Sequence, residues 1–85
     1  MFGSQGNLEE AVQLYKQALE MSKKVLGEEH PYTATRLHNL AGALLQQGRT
    51  EEAERMGKQA LAIYEKALGP DHPYTQEARE DWGEK

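Results

Sequence analysis

Shifted by 42 positions, this chain lies on itself. Pairing residues 1–43 with 43–85 gives sixteen identities, among them Glu9/Glu51, Ala11/Ala53, Ala18/Ala60, Leu19/Leu61, Gly27/Gly69 and the run His30-Pro31-Tyr32-Thr33 on His72-Pro73-Tyr74-Thr75. A period of this length marks a solenoid, in which each unit buries its apolar face only by stacking on the next. The constraint is severe because the chain has only 85 residues and no cysteine. Neither a disulfide framework nor a thiolate metal cluster can supplement so thin a core, so packing of repeat on repeat must hold it.

Within one period the apolar residues recur at helical intervals: Leu8, Ala11, Val12, Tyr15, Ala18, Leu19, Ser22, Val25 and Leu26. The second copy places Ala53, Gly57, Ala60, Leu61, Tyr64, Ala67 and Leu68 in matching positions. Asn7 with Glu10 reads as a capping box, which starts the first helix near residue 8 after a break at Gly6; Lys23 and Lys24 suit its C-terminal dipole. Gly27 and Gly69 supply the stops, and the prolines that follow fit the first turn of a helix because they have no N–H to leave unbonded. The next helix carries Ala34, Leu37, Leu40, Ala41, Leu44 and Leu45 until Gln47-Gly48 breaks it. The expected order is a short stub, then helices at 8–26, 31–46, 50–68 and 73–83, with no strand pattern. The fold class is all-α, an antiparallel helix-hairpin solenoid.

This paired-helix period resembles the tetratricopeptide repeat, in particular the 42-residue version of kinesin light chains and of bacterial and fungal signalling arrays. The residues that carry the likeness are Leu37, Leu40, Ala41, Leu44, Gly48, Ala53 and Ala60, together with the linker Leu68-Gly69-Pro70-Asp71-His72-Pro73-Tyr74-Thr75. Two positions depart from the pattern: Gly57 stands where the family carries an aromatic, a place Tyr15 fills in the first copy, and Arg79 replaces a large apolar residue. The resemblance covers residues 1–85 as a single unit of about two repeats. Their phase, beginning near the end of one helix of the 31–46 kind and stopping inside another, is the one expected of a piece of a longer array or of a naturally short chain.

Ten basic against fourteen acidic residues give a net charge of −4, the wrong sign for a nucleic-acid or anionic-membrane partner. The longest run of apolar residues and glycine, Leu40 to Leu45, is far too short to span a bilayer, and residues 1–6 lack the features of a secretory signal, so the cytoplasm is the expected location. No nucleophile–base arrangement or metal-ligand spacing appears. The chain therefore reads as no enzyme, with no cofactor and no metal. His30 and His72 hold the same place in successive linkers, which points to a shared structural role in the proline turn. Trp82, in the place of Leu40, reads as a core residue.

Function is then a matter of surfaces. Thr35, His38, Asn39, Gly42 and Gln46 fall off the Leu37/Leu40/Leu44 stripe on one polar strip, read as exposed. The resemblance implies that this strip lies on the concave face and that the residue at Asn39 contacts bound peptides, so the partner is a protein or peptide. Glu80 and Asp81 take the places of His38 and Asn39 in the last helix and favour a basic ligand. The alternative reading is a self-assembling repeat unit. There Phe2, Leu8, Ala11, Tyr15 and Ala18, left partly uncovered on the first helix, associate with other copies, and a homo-oligomer, a two-fold dimer above all, is the expected form.

Overall fold

The computed structural model describes residues 4–83, with side chains from Asn7 onward. Four helices follow one another: α1 (Ser4–Leu26), α2 (Pro31–Gln46), α3 (Thr50–Leu68) and α4 (Pro73–Trp82). No strand occurs among the described residues. Each helix packs on its sequence neighbours, α2 against α1 and α3, and α4 against α3, in a slab of 42 × 33 × 19 Å.

The repeated His-Pro-Tyr-Thr phrase explains itself at both helix starts. The Nδ1 of His30 accepts the Tyr32 backbone N–H at 3.1 Å, and the Nδ1 of His72 does the same for Tyr74 at 3.1 Å. Each imidazole thus satisfies one of the donors that a helix N-terminus leaves open, the service usually given by Ser or Asp, while Pro31 and Pro73 occupy the first turn. Thr33, the last residue of the phrase, is wholly buried and donates to the Gly27 carbonyl at 2.7 Å, tying the new helix to the stop of the old one. That stop needs glycine, since Gly27 sits at φ 98° and Gly69 at φ 92°, where a side chain would be strained.

Two expectations at the first helix are corrected. α1 begins at Ser4 and runs through Gly6 and Asn7, so there is no break at Gly6 and no capping box from Asn7 to Glu10. A single glycine costs a helix only about 1 kcal/mol, which is too little to end one. Residues 4 and 5 of the expected stub are helical, and Phe2 lies outside the described residues. The apolar stripe is also narrower than the periodicity implied. Val12, Leu19 and Ser22 are buried on α1, but Val25 and Leu26 are exposed, as are Leu45 on α2 and Ala67 on α3.

The core runs through Leu37, Leu40, Ala41 and Leu44 of α2, Ala53, Ala60 and Tyr64 of α3, and Ala78 and Trp82 of α4. Gly57 is buried within α3, and a Cβ there would fall inside the Trp82 indole. The missing side chain and the outsized one are therefore a single adjustment. The equivalent positions one period earlier hold Tyr15 of α1 and Leu40 of α2, so part of the bulk lost from α3 at Gly57 is returned on α4 by Trp82. Arg79 is explained as well: it stands at the outer edge of α4 and donates to Glu65 of α3 at 2.9 Å.

Gly57→Ala is expected to destabilise the fold by about 1–3 kcal/mol despite the better helix propensity of alanine, because the indole must move. Gly57→Tyr alone should be worse, and the double variant Gly57→Tyr with Trp82→Leu, which rebuilds the pair of the first copy, should recover much of the loss. Chemical denaturation of the three variants checks this through their non-additivity.

Candidate functional site

Helical spacing sets Thr35, His38, Asn39, Gly42 and Gln46 along one edge of α2, and in the fold that edge borders two adjoining clefts. The larger, about 550 Å³, is walled by Tyr32, Thr35, Arg36, His38 and Asn39 of α2, Tyr64 of α3, and Tyr74 and Glu77 of α4. The smaller, about 300 Å³, lies between Leu8, Ala11 and Tyr15 of α1 and His38, Asn39, Gly42, Ala43 and Gln46 of α2. His38 and Asn39 face both. The two clefts thus form one groove along α2, and most of the residues read from sequence as a self-association face help to wall it.

At one end of the groove the floor is a buried phenol. The hydroxyls of Thr35 and Tyr64 lie 2.7 Å apart, and Thr35 Oγ1 also donates to the Pro31 carbonyl at 3.2 Å, so it is Tyr64 that donates to Thr35. Tyr74 leans against Tyr64 with ring centroids 6.0 Å apart. Burial pushes the Tyr64 phenol above its usual 10.0, and the charges that Tyr74 and Glu77 can carry push it further up; only a Thr35 hydroxyl turned round to donate to the phenolate would oppose this. The group is a neutral donor at physiological pH, and it positions Thr35.

The middle of the groove differs from the sequence reading. His38 is not exposed but half-buried. Its side chain is 24% accessible, and its Nδ1 accepts the Trp82 indole N–H at 3.0 Å. An indole N–H can only donate, so Nδ1 is the bare nitrogen and neutral His38 carries its proton on Nε2. Asp81 Oδ2 lies 3.7 Å from that Nε2, beyond hydrogen-bond range. His38 therefore anchors α4 to α2 by satisfying the one polar atom of a buried tryptophan. Thr35 is likewise half-buried and committed to hydrogen bonds.

The remaining candidates are freer. Asn39 is half-buried between the two clefts, and among the described residues no hydrogen bond engages its amide. Gly42 is half-buried too, yet nothing lies within 4 Å of the place a Cβ would take. Gln46 is exposed at the far end. Glu80 and Asp81 are exposed on α4, Asp81 close to His38, while Glu80 is not among the residues bordering either cleft. On α1, Leu8, Ala11, Tyr15 and Ala18 are all half-buried.

Sequence reasoning passed over Tyr32, Arg36, Tyr64 and Tyr74, which with Glu77 build most of the larger cleft. A signal was available for two of them. Tyr32 and Tyr74 recur at the same repeat position and remain 63% and 55% exposed, which is unusual for a residue with so much apolar surface. Among the described residues no cluster of three potential metal ligands occurs, and no helix is long and apolar enough to cross a membrane.

Residues 2–66 match the family described as "Tetratricopeptide repeat". A search of curated proteins returns no match.

Removing the His38 imidazole leaves the Trp82 N–H buried without an acceptor, so His38→Ala is expected to cost about 1–3 kcal/mol. A thermal melt with tryptophan fluorescence checks this. Tyr64 gives a pH signature. Because its folded pKa is raised, its stabilising contribution is complete below about pH 10 and is lost as pH climbs through the folded value. The melting temperature of the wild type should fall more steeply above pH 10 than that of Tyr64→Phe.

Proposed function

Because the chain belongs to the tetratricopeptide repeat family, whose non-catalytic helix-pair repeats generally mediate protein–protein interaction, we propose that it binds an extended segment of a partner protein along the α2 groove. The observation that carries this reading is Gly42. A glycine inside a helix costs about 1 kcal/mol relative to alanine, and here the fold draws no packing benefit from the missing side chain, because the space beside it is empty. The absence of a side chain lowers the wall of the groove beside Asn39, so a ligand backbone can approach the helix. The uncommitted amide of Asn39 can then donate to and accept from that backbone, and Gln46 extends the same polar edge.

The larger cleft carries both signs, Arg36 of α2 and Glu77 of α4 among its walls, and Asp81 of α4 adds a second negative charge beside His38. The balance favours a segment with a basic residue over α4, its stem lying against the exposed rings of Tyr32 and Tyr74. His38 and Thr35 serve the site as supports for its walls.

The experiment that tests the proposal separates function from stability. Gly42→Ala should raise the melting temperature, since it removes a mid-helix glycine without strain, and should weaken capture of the partner about tenfold or more by filling the approach. Asn39→Ala should weaken capture at little cost in stability. Calorimetry with a partner segment recovered by display on the immobilised chain reads both. Undiminished affinity in Gly42→Ala would refute the groove.

A further inference from the structure

Tyr32 and Tyr74 hold the same place in successive periods, and both present exposed rings to the larger cleft. Neither exposure depends on a missing neighbour. Tyr32 has the following helices α3 and α4 in place and stays exposed; Tyr74 has the preceding helices α2 and α3 in place and stays exposed. Each ring is also held from behind. His30, whose Nδ1 accepts the Tyr32 backbone N–H, has its own ring 5.2 Å from that of Tyr32, inclined at 58°, and His72 stands 4.8 Å from Tyr74 at 62°. The imidazole that caps the helix thus backs the tyrosine beside it. A ring fixed before contact gives up little freedom on binding, so the repeat builds two aromatic platforms along one cleft.

We propose that the segment seated in the larger cleft is a polyproline II stretch of a partner protein, its pyrrolidine rings stacked on Tyr32 and Tyr74. Hydrogen-bond chemistry selects this occupant. Proline has no N–H, so a proline-rich strand offers carbonyl acceptors alone, and a polyproline II helix leaves them unbonded internally. The walls offer the converse. The hydroxyls of Tyr32 and Tyr74, the Arg36 guanidinium and the Asn39 amide can all donate, and among the described residues no hydrogen bond or ion pair engages any of these side chains. A strand with its N–H groups intact would need matching acceptors, yet the one acceptor-only side chain among the walls is Glu77.

The charges agree with this ligand. A cation lying alone on the two rings would meet Arg36 in the same cleft, whereas a proline stretch uses Arg36 as a donor to its carbonyls. Glu77, with Asp81 beside it on α4, then receives a basic residue at the flank of the prolines. Exposed aromatic rings with a carboxylate at one end are the surface on which proline-rich segments dock, because their backbone is already extended and loses little entropy. The identity of the ligand rests on the reading that an extended segment lies along the α2 groove, and it names that segment.

Titration calorimetry of the full chain tests this with a blocked synthetic peptide of eight prolines and one arginine, beside a control in which alternating glycine and serine replace the prolines. The proline peptide should bind at least about tenfold more tightly than the control. Tyr32→Leu and Tyr74→Leu should each weaken it about fivefold or more, with melting temperatures near that of the wild type because both rings are exposed. Arg36→Ala, which removes a donor and leaves the core untouched, should weaken it about twofold to threefold. Equal affinity for the two peptides, or a proline peptide indifferent to all three substitutions, would overturn the proposal. The groove reading fails separately, since Gly42 borders only the smaller cleft. A displayed segment whose capture depends on Gly42 but on neither tyrosine leaves the groove standing and overturns the proline ligand. Capture that depends on the tyrosines and is unmoved by Gly42→Ala would support the platforms and remove the approach beside Asn39.

Discussion

The burial of α2 between its two neighbours is the constraint on which the rest of the molecule depends. Leu40 and Leu44 are wholly inaccessible, and Leu37 nearly so, only because α1 and α3 press on α2 from different sides. Neither hairpin could bury those leucines alone. At about 1.5–3 kcal/mol for each fully buried leucine, the stripe accounts for much of what an 85-residue chain can hold in reserve. The polar edge of α2 is rigid for the same reason. A helix clamped on two sides presents Asn39 and Gly42 at fixed positions, and a groove needs fixed walls to select a ligand.

The supports of that groove are polar contacts that do double service. Thr35 and His38 look like surface residues in the repeat pattern, yet one receives the buried Tyr64 hydroxyl and the other the Trp82 N–H. Each bond removes an unsatisfied donor from the core and also fixes a side chain that borders the groove. Mutation at either position would therefore disturb binding and stability together. Asn39 and Gly42 are the places where the two can be separated.

The repeat also explains asymmetry between the two ends of the slab. On α4, Gln76 and Arg79 occupy the places of Ala34 and Leu37, and the outer side is polar. On α1 the outer stripe stays apolar, because Leu14, Ala18 and Met21 keep the character that Met56, Ala60 and Ile63 need on α3. Periodicity transmits an interface pattern to every copy, whether or not the described chain covers that interface.

Much of the architecture was legible in the sequence. The 42-residue shift and the three-or-four spacing of apolar residues, with glycine and proline as punctuation, determined four helices, their order and nearly all their ends, because these are local properties of the backbone and of helical faces. The first helix start was misjudged because propensity signals at Gly6 and Asn7 are worth too little to outweigh continued hydrogen bonding. The candidate strip on α2 was legible as a strip, since helical angle follows from residue number. What each member does was not. Gly57 and Trp82 are 25 positions apart, and His38 and Trp82 are separated by 44, so only packing shows that one pair exchanges bulk and the other shares a hydrogen bond. The Tyr64 floor of the groove likewise depends on three helices meeting. Periodicity assigns a side chain to a face, but which distant side chain fills the space opposite is decided by tertiary contact, where shape and unsatisfied polar atoms must be reconciled together.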